Sequence, residues 1–231
     1  MAESFKPENI RPSFYALRTG GWRDYVTLLH FPYTVWNLSY VATGCALAPH
    51  FHTNRMLWAF AAFFLALGIS AHALDELNGR PLKTQIPTGA LVALATASLG
   101  GALAIGIGAA DAWGWGLLAF VAVGGVIVPA YNLEWFGGVL HNELGLGLAW
   151  GAFPILTGYF VEAQTIRTEA VLAAAYGAAL VMAQRNLSTI VRAARRQRGT
   201  TEGIEPLERA LRLMTIAAVA LAIGLVVARL T

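Results

Sequence analysis

One short stretch of the sequence gathers six kinds of polar side chain in an otherwise apolar region, residues 72–83. His72 precedes Asp75 and Glu76 by three and four positions, so the three side chains share one face of a helix. Carboxylate oxygens are ligands that Mg²⁺ prefers, and the cations of Arg80 and Lys83 suit an anionic group such as a phosphate. We predict that His72, Asp75 and Glu76 hold a metal ion and act in catalysis, and that Arg80 and Lys83 bind substrate.

A second polar stretch runs from Tyr131 to Glu143 and contains the double glycine Gly137-Gly138. Glu134, His141 and Glu143 are candidates for a general base or for ligands, and the glycines permit a bend that lines a cavity. The alternative is a polar loop held at the membrane interface by aromatic side chains. We predict a catalytic role for Glu134 and His141.

The third stretch, Gln184 to Arg198, is rich in arginine. Arg185, Ser188 and Arg192 have i, i+3, i+7 spacing, which places them on one helix face that suits a diphosphate. Arg195, Arg196 and Arg198 are more typical of an anchor against anionic lipid headgroups. We predict that Arg185 and Arg192 bind substrate.

His30 and Asn37 lie at the start of the first hydrophobic run, seven residues apart. A histidine in such a position either packs with one hydrogen bond or faces a polar cavity. We include both residues among the predicted substrate-binding residues.

The elements that position these side chains are predicted to be membrane helices. Hydrophobic residues make up 57% of the chain and charged residues 13%, and the mean hydropathy is +0.57, which is too apolar for one soluble core. Lipid offers no hydrogen-bond partners to the backbone, and a helix pairs its own amide and carbonyl groups. We therefore predict an all-α transmembrane bundle of about seven helices in a single domain, residues 1–231. The seven hydrophobic runs are Tyr25–Leu47, Met56–Leu77, Ala90–Ala110, Trp113–Leu133, Leu144–Val161, Glu169–Ile190 and Leu207–Leu230.

The distribution of Lys and Arg predicts the orientation of the bundle. A cytoplasmic N-terminal segment, residues 1–24, places thirteen of the sixteen basic residues inside and leaves Arg55, Arg167 and Arg229 outside. Basic residues favour the cytoplasmic side, so we predict a multi-pass protein of the inner membrane with its N-terminus in and its C-terminus out. Because topology explains the basic residues, we expect contacts with membrane lipid and a lipophilic small-molecule substrate, and no nucleic-acid partner.

These motifs resemble those of the UbiA superfamily of intramembrane prenyltransferases. In that family the second helix ends in an aspartate-rich N-D-x-x-D-x-x-x-D segment that is followed by Arg-Pro-Leu. Asp75 matches the middle aspartate, and Arg80-Pro81-Leu82 is similar to the stretch that follows. Trp150-Gly151-Ala152-Phe153-Pro154 also looks like the family's fifth helix. The resemblance implies a UbiA-like bundle that transfers a prenyl group from a prenyl diphosphate to a lipophilic acceptor with the help of Mg²⁺.

The sequence also departs from the family pattern. Ala71 and His72 stand where the family has Asn-Asp, and Gly79 stands where it has the last aspartate. The family's second aspartate-rich motif would follow the sixth helix, where this chain has arginines instead. The resemblance therefore implies one divalent-metal site, at Asp75 and Glu76, with Arg80, Lys83, Arg185 and Arg192 neutralising the diphosphate in place of a second metal.

Two other functions fit the same residues. The His and carboxylate side chains suit iron, zinc or manganese as well as Mg²⁺, which would give a membrane oxidoreductase or hydrolase. A charged vestibule at one end of a bundle also suits a transporter or a lipid-binding protein. The sequence leaves the oligomeric state open.

Overall fold

The computed structural model of the protein describes residue 13 and residues 15–198 and 203–231, with the side chains of residues 196–198 outside that description. Much of the predicted N-terminal segment 1–24, and the side chains of Arg196 and Arg198, therefore lie outside the described residues. Within the described part, the regular structure is helical and contains no strand. The longer helices are α1 (Trp22–Leu28), α2 (Phe31–Leu47), α3 (Thr53–Leu77), α4 (Thr88–Trp113), α5 (Leu117–Asn132), α6 (Glu143–Ala163), α7 (Thr168–Arg198) and α8 (Glu205–Leu230). A four-residue helical segment, Trp135–Gly138, lies between α5 and α6.

Four of the described helices, α3, α4, α6 and α8, are long and apolar enough to cross a bilayer. This supports the prediction of a membrane protein, because a bilayer core requires about 20 apolar residues per helical crossing. Helix α5 is apolar but has 16 residues. Helix α2 has 17 residues, and α7 is polar and arginine-rich from Gln184 onward.

Two glycines allow α2 to lie directly against the second half of α6. A Cβ atom added at Gly44 would be 2.1 Å from the Ile155 carbonyl oxygen, and one added at Gly158 would be 2.3 Å from the Val41 carbonyl oxygen. The Cys45 thiol, which is fully buried, donates to the Gly158 carbonyl oxygen at 3.3 Å. Small residues permit such close approach between membrane helices, so this contact sets the spacing of the two helices.

Helices α3 and α6 each contain a π-helical segment, Phe64–Ala71 and Gly147–Ala152. Segments of this kind are frequent at functional sites because the wider turn changes which side chains face a neighbour. In α3 the segment ends immediately before His72. In α6 the segment contains Trp150. The π-helical segment of α3 is therefore adjacent to a residue that the sequence predicts to be in the site.

The two ends of the bundle differ in their charged residues. The three polar stretches meet at one end, whereas Arg55 and Arg229 lie at the other. Arg55 donates to the Val161 carbonyl oxygen at 3.1 Å, and Arg229 donates to the carbonyl oxygens of Ala48 and Pro49, each at 2.9 Å. The end that holds the three polar stretches therefore carries more of the described cations than the other end.

Candidate functional site

A cavity of about 270 Å³ lies at the polar end of the bundle. Its wall includes His72 and Asp75 from α3, Tyr131 and His141 from the second polar stretch, and Arg185 from α7. Gln184, Ser188 and Arg192 of α7 also line it, together with His30 and Asn37. All three polar stretches, which are far apart in the sequence, thus contribute to one cavity.

The charged side chains of this cavity are of opposite sign but do not pair with each other. Asp75 is half-buried and forms no ion pair within the described residues. Arg185 donates to the Tyr131 hydroxyl at 2.8 Å, and the hydrogen bond of Arg192 within the described part of the chain is to the Ser188 hydroxyl, at 3.5 Å. Arg195, by contrast, is paired with Glu208 of α8, with its Nε 2.7 Å from a carboxylate oxygen. The cavity therefore holds two guanidinium groups that can bind a ligand with negative charge, and one carboxylate that can bind a cation.

Two histidines stack against each other on one side of the cavity. The rings of His30 and His72 lie 4.2 Å apart and are nearly parallel, at 10°. His72 Nδ1 is 3.1 Å from the Gly68 carbonyl oxygen, so it carries a proton and donates. His30 Nδ1 is 3.0 Å from the Tyr15 hydroxyl.

Aromatic side chains surround the remainder of the cavity. Tyr131 stacks on His141 at a centroid distance of 4.6 Å and lies 4.6 Å from Trp150. Tyr33 and Trp36 of α2 also line it. Aromatic faces attract cations, so this wall suits an apolar ligand that develops positive charge.

Glu76 does not reach the cavity, although it is adjacent to Asp75 in sequence. It is fully buried, and its carboxylate accepts hydrogen bonds from the backbone amide of Leu82 at 2.9 Å and from the amide and hydroxyl of Thr84, each at 2.8 Å. Both oxygens are therefore used to hold the loop that follows α3. We had predicted Glu76 as a metal ligand and catalytic residue, whereas the hydrogen bonds place it in the support of this loop.

Replacing Glu76 by leucine is expected to destabilise this end of the protein. The change would leave two buried amides and one hydroxyl without partners, and each unpaired buried group costs about 1–3 kcal/mol. We expect a lower unfolding temperature in detergent for Glu76→Leu. Lys83→Gln, a change at an exposed position of the same loop, serves as the control and should unfold like the native protein.

Three other predicted residues also lie outside the cavity. Arg80 has a φ of 53° and donates to the carbonyl oxygens of Thr84 and Ile86, so it closes the loop on itself. Lys83 is exposed, with a φ of 56°. Glu134 is exposed, with a φ of 52°, at the turn that follows α5. None of the three lines the cavity that contains Asp75.

The cavity contains aromatic residues that the sequence did not lead us to select. Tyr33 comes three residues after His30, which is the spacing of one helix face and could have identified it. Trp150 belongs to the motif that resembles the fifth helix of the UbiA superfamily, but the motif alone does not indicate that its side chain lines a site. Tyr15 precedes the first helix, and no pattern in the sequence indicates that it approaches His30.

The side chains that line the cavity offer few ligands for a metal ion. Asp75 is the sole carboxylate among the described residues that line it, and no group of three His, Cys, Asp or Glu side chains in the described part is arranged to hold a metal. Mg²⁺ is often bound by one or two carboxylates together with phosphate oxygens of the substrate and water. The residues present thus fit one Mg²⁺ that binds together with a phosphate-bearing ligand.

No family model matches the chain, and no curated protein and no solved structure matches it either.

Proposed function

We propose that the protein is a UbiA-like intramembrane prenyltransferase that moves a prenyl group from a prenyl diphosphate to a lipophilic acceptor in the cavity. The observation that carries this proposal is that Asp75, Arg185 and Arg192 line one cavity without pairing with each other. Guanidinium groups recognise phosphate oxygens through charge-assisted hydrogen bonds. Arg185 and Arg192 would therefore bind the diphosphate, with Asp75 on the same cavity wall as His72.

In the proposed reaction, the bond between C1 of the prenyl group and the diphosphate oxygen breaks, and its electron pair leaves with the diphosphate. C1 then bonds to a nucleophilic atom of the acceptor, and the proton on that atom passes to water or to the released diphosphate. Arg185 and Arg192 stabilise the charge that develops on the leaving group. Tyr33, Tyr131 and Trp150 present aromatic faces that stabilise positive charge on the prenyl group.

A divalent cation would be held by Asp75 together with the phosphate oxygens. When bound, Mg²⁺ would neutralise charge on the leaving diphosphate. His72 lies on the same wall as Asp75 and positions His30 by stacking. His141 orients Tyr131, which in turn accepts a hydrogen bond from Arg185.

The proposal includes the membrane topology. All seven hydrophobic runs would cross the inner membrane, those of α2, α5 and α7 together with the four long apolar helices, and the cavity would open on the cytoplasmic side. This orientation follows the excess of Lys and Arg at the cavity-bearing end. A water-soluble diphosphate would reach the cavity near Arg192, which is exposed.

Binding of a non-reactive prenyl thiodiphosphate tests the role of the arginines. We expect Arg185→Gln and Arg192→Gln each to weaken binding by about tenfold to a hundredfold, because each removes a charge-assisted hydrogen bond worth roughly 1.5–3 kcal/mol. Affinity can be measured by equilibrium titration of the purified protein in lipid nanodiscs. Arg209→Gln changes an exposed arginine of α8 outside the cavity and should leave the affinity unchanged. Equal affinities in all four proteins would contradict the proposal.

The same preparation separates the other two functions. A metalloenzyme would retain iron, zinc or manganese in near-stoichiometric amount and lose it on His72→Ala. A transporter would move a solute into proteoliposomes without chemical change. Either result, without binding of the thiodiphosphate, would replace the proposed function.

A further inference from the structure

A pair of histidines, His50 and His52, lies at the end of the bundle opposite the cavity, in the connection between α2 and α3. Both side chains line one surface depression of about 370 Å³. The backbone of His52 is extended, with φ −127° and ψ 107°, and side chains two residues apart in an extended chain point to the same side. The pair therefore offers two imidazole rings to one ligand, and neither ring belongs to the cavity of the proposed function.

The ring of His52 is oriented by Glu162, which is next to the last residue of α6. One oxygen of this carboxylate, Oε2, accepts hydrogen bonds from the His52 backbone amide at 3.0 Å and from the ring atom Nδ1 at 2.8 Å. The Glu162 side chain is fully buried, whereas the His52 side chain is 47% exposed. Because a carboxylate can only accept, Nδ1 carries the proton. The other ring nitrogen, Nε2, remains available to a partner in the depression.

The negative charge of Glu162 favours positive charge at His52. Its second oxygen, Oε1, is buried and has no hydrogen-bond partner among the described residues. Arg55 is near, but it donates to the backbone carbonyl oxygens of Val161 and Glu162, at 3.1 and 3.4 Å. A buried charge is costly unless an opposite charge compensates it. Either a proton or a metal ion on Nε2 of His52 would supply that charge, and the second imidazole beside it favours a metal ion.

The chain on both sides of His50 is held by hydrogen bonds from other helices. Arg229 of α8 donates to the carbonyl oxygens of Ala48 and Pro49, each at 2.9 Å, and Glu162 holds the amide of His52. Arg229 also lines the depression, so its positive charge opposes the binding of a cation. An ion that binds there must gain more from the imidazoles than it loses to the guanidinium. Zn²⁺ and Cu²⁺ prefer imidazole nitrogen, whereas Mg²⁺ and Ca²⁺ prefer oxygen.

We propose that His50 and His52 bind a divalent transition-metal ion of the class that prefers imidazole, such as Cu²⁺ or Zn²⁺, with Glu162 as the positioning carboxylate. Metal-binding histidines commonly donate their other ring N–H to a carboxylate, which fixes the ring and makes the ligating nitrogen more basic. No group of three His, Cys, Asp or Glu side chains in the described part of the chain is arranged around a metal, so water completes the coordination. The proposal is independent of the transfer function.

Titration with Cu²⁺, followed by electron paramagnetic resonance, tests the two ligands. We expect protein purified without a histidine tag, in nanodiscs, to bind one Cu²⁺ with two imidazole nitrogens, and to bind Zn²⁺ more weakly. His50→Ala changes an exposed residue and should leave one nitrogen in the spectrum. His52→Gln should do the same. A native protein that binds no Cu²⁺ would overturn the proposal and assign the positive charge to a proton on His52. Two nitrogens that persist in both variants would also overturn it.

Glu162→Gln tests the positioning role. Glutamine keeps the size of the side chain and an oxygen that accepts from Nδ1, but it removes the charge. We expect the two-nitrogen spectrum to persist and the affinity for Cu²⁺ to fall by about tenfold to a hundredfold, the usual effect of changing a residue that supports a metal ligand. An unchanged affinity would overturn the role assigned to Glu162.

Two further variants are the controls for this titration. Asp111→Asn removes an exposed carboxylate near the end of α4, where Trp113 contacts Arg55, and should leave the affinity for Cu²⁺ unchanged. His72→Ala changes a histidine of the cavity and should also leave it unchanged. Loss of the bound Cu²⁺ in His72→Ala would place the metal in the cavity and overturn the proposal, whatever the result of the thiodiphosphate titration.

Discussion

Asp75→Asn is expected to lower the rate of prenyl transfer by a factor on the order of 10² to 10³, the usual cost of removing one group that stabilises charge in a transition state. Asp75 is the sole carboxylate among the described residues of the cavity wall. Asparagine has nearly the same shape, but it binds a divalent cation weakly because it carries no charge. The dependence of the rate on Mg²⁺ concentration should therefore weaken together with the rate. Steady-state kinetics across a Mg²⁺ titration would measure both.

Glu134→Gln is the matched control for this variant. It removes a carboxylate from the same end of the protein but at an exposed position outside the cavity. We expect it to keep the native rate and the native Mg²⁺ dependence. An Asp75→Asn protein with unchanged kinetics would remove Asp75 from the mechanism.

Gly44→Ala is expected to destabilise the folded protein by roughly 3 kcal/mol, at the upper end for overpacking. The added methyl group would lie 2.1 Å from the Ile155 carbonyl oxygen and 2.8 Å from the Tyr159 amide nitrogen. These are backbone atoms of a helix, so they cannot move aside as a flexible side chain would. Helices α2 and α6 would have to separate, which also displaces Asn37 and Trp150. Unfolding in mild detergent, followed by circular dichroism, would measure the loss.

Gly108→Ala provides the comparison for this prediction. A Cβ atom at Gly108 meets nothing within 4 Å, and alanine is favoured over glycine within a helix. We expect the variant to unfold at or slightly above the native temperature. Similar stability of Gly44→Ala and Gly108→Ala would contradict the close packing of α2 on α6.

Helical segments could be predicted because hydropathy depends on local sequence, and because a backbone in lipid must form its hydrogen bonds within its own helix. It also identified the three polar stretches, because ionisable residues are unusual in apolar helices. One cavity is lined by residues from all three stretches: His72, Asp75, His141, Arg185 and Arg192. The local sequence of one stretch does not show that the other two lie beside it. Their shared location at one end follows from the alternation of helices across the bundle.

The direction of individual side chains could not be predicted in the same way. Asp75 and Glu76 are neighbours with the same chemistry, yet one lines the cavity and the other is buried under the loop. The difference depends on the path of residues 79–86, which includes positive φ values at Arg80 and Lys83. Neither residue type favours that backbone region, so the pattern gave no indication of it. Arg80 is consequently used to close the loop rather than to bind a substrate.

The most direct measurement of the central claim is the fate of a prenyl diphosphate labelled in its prenyl group. Purified protein in nanodiscs would be incubated with the labelled compound, Mg²⁺ and a lipophilic acceptor, and both labelled lipid product and free inorganic diphosphate would be measured. The account predicts that the two products form in equal amounts and that both depend on Asp75 and Arg192. Binding of the prenyl diphosphate without release of diphosphate, in the presence of Mg²⁺ and a panel of such acceptors, would contradict it.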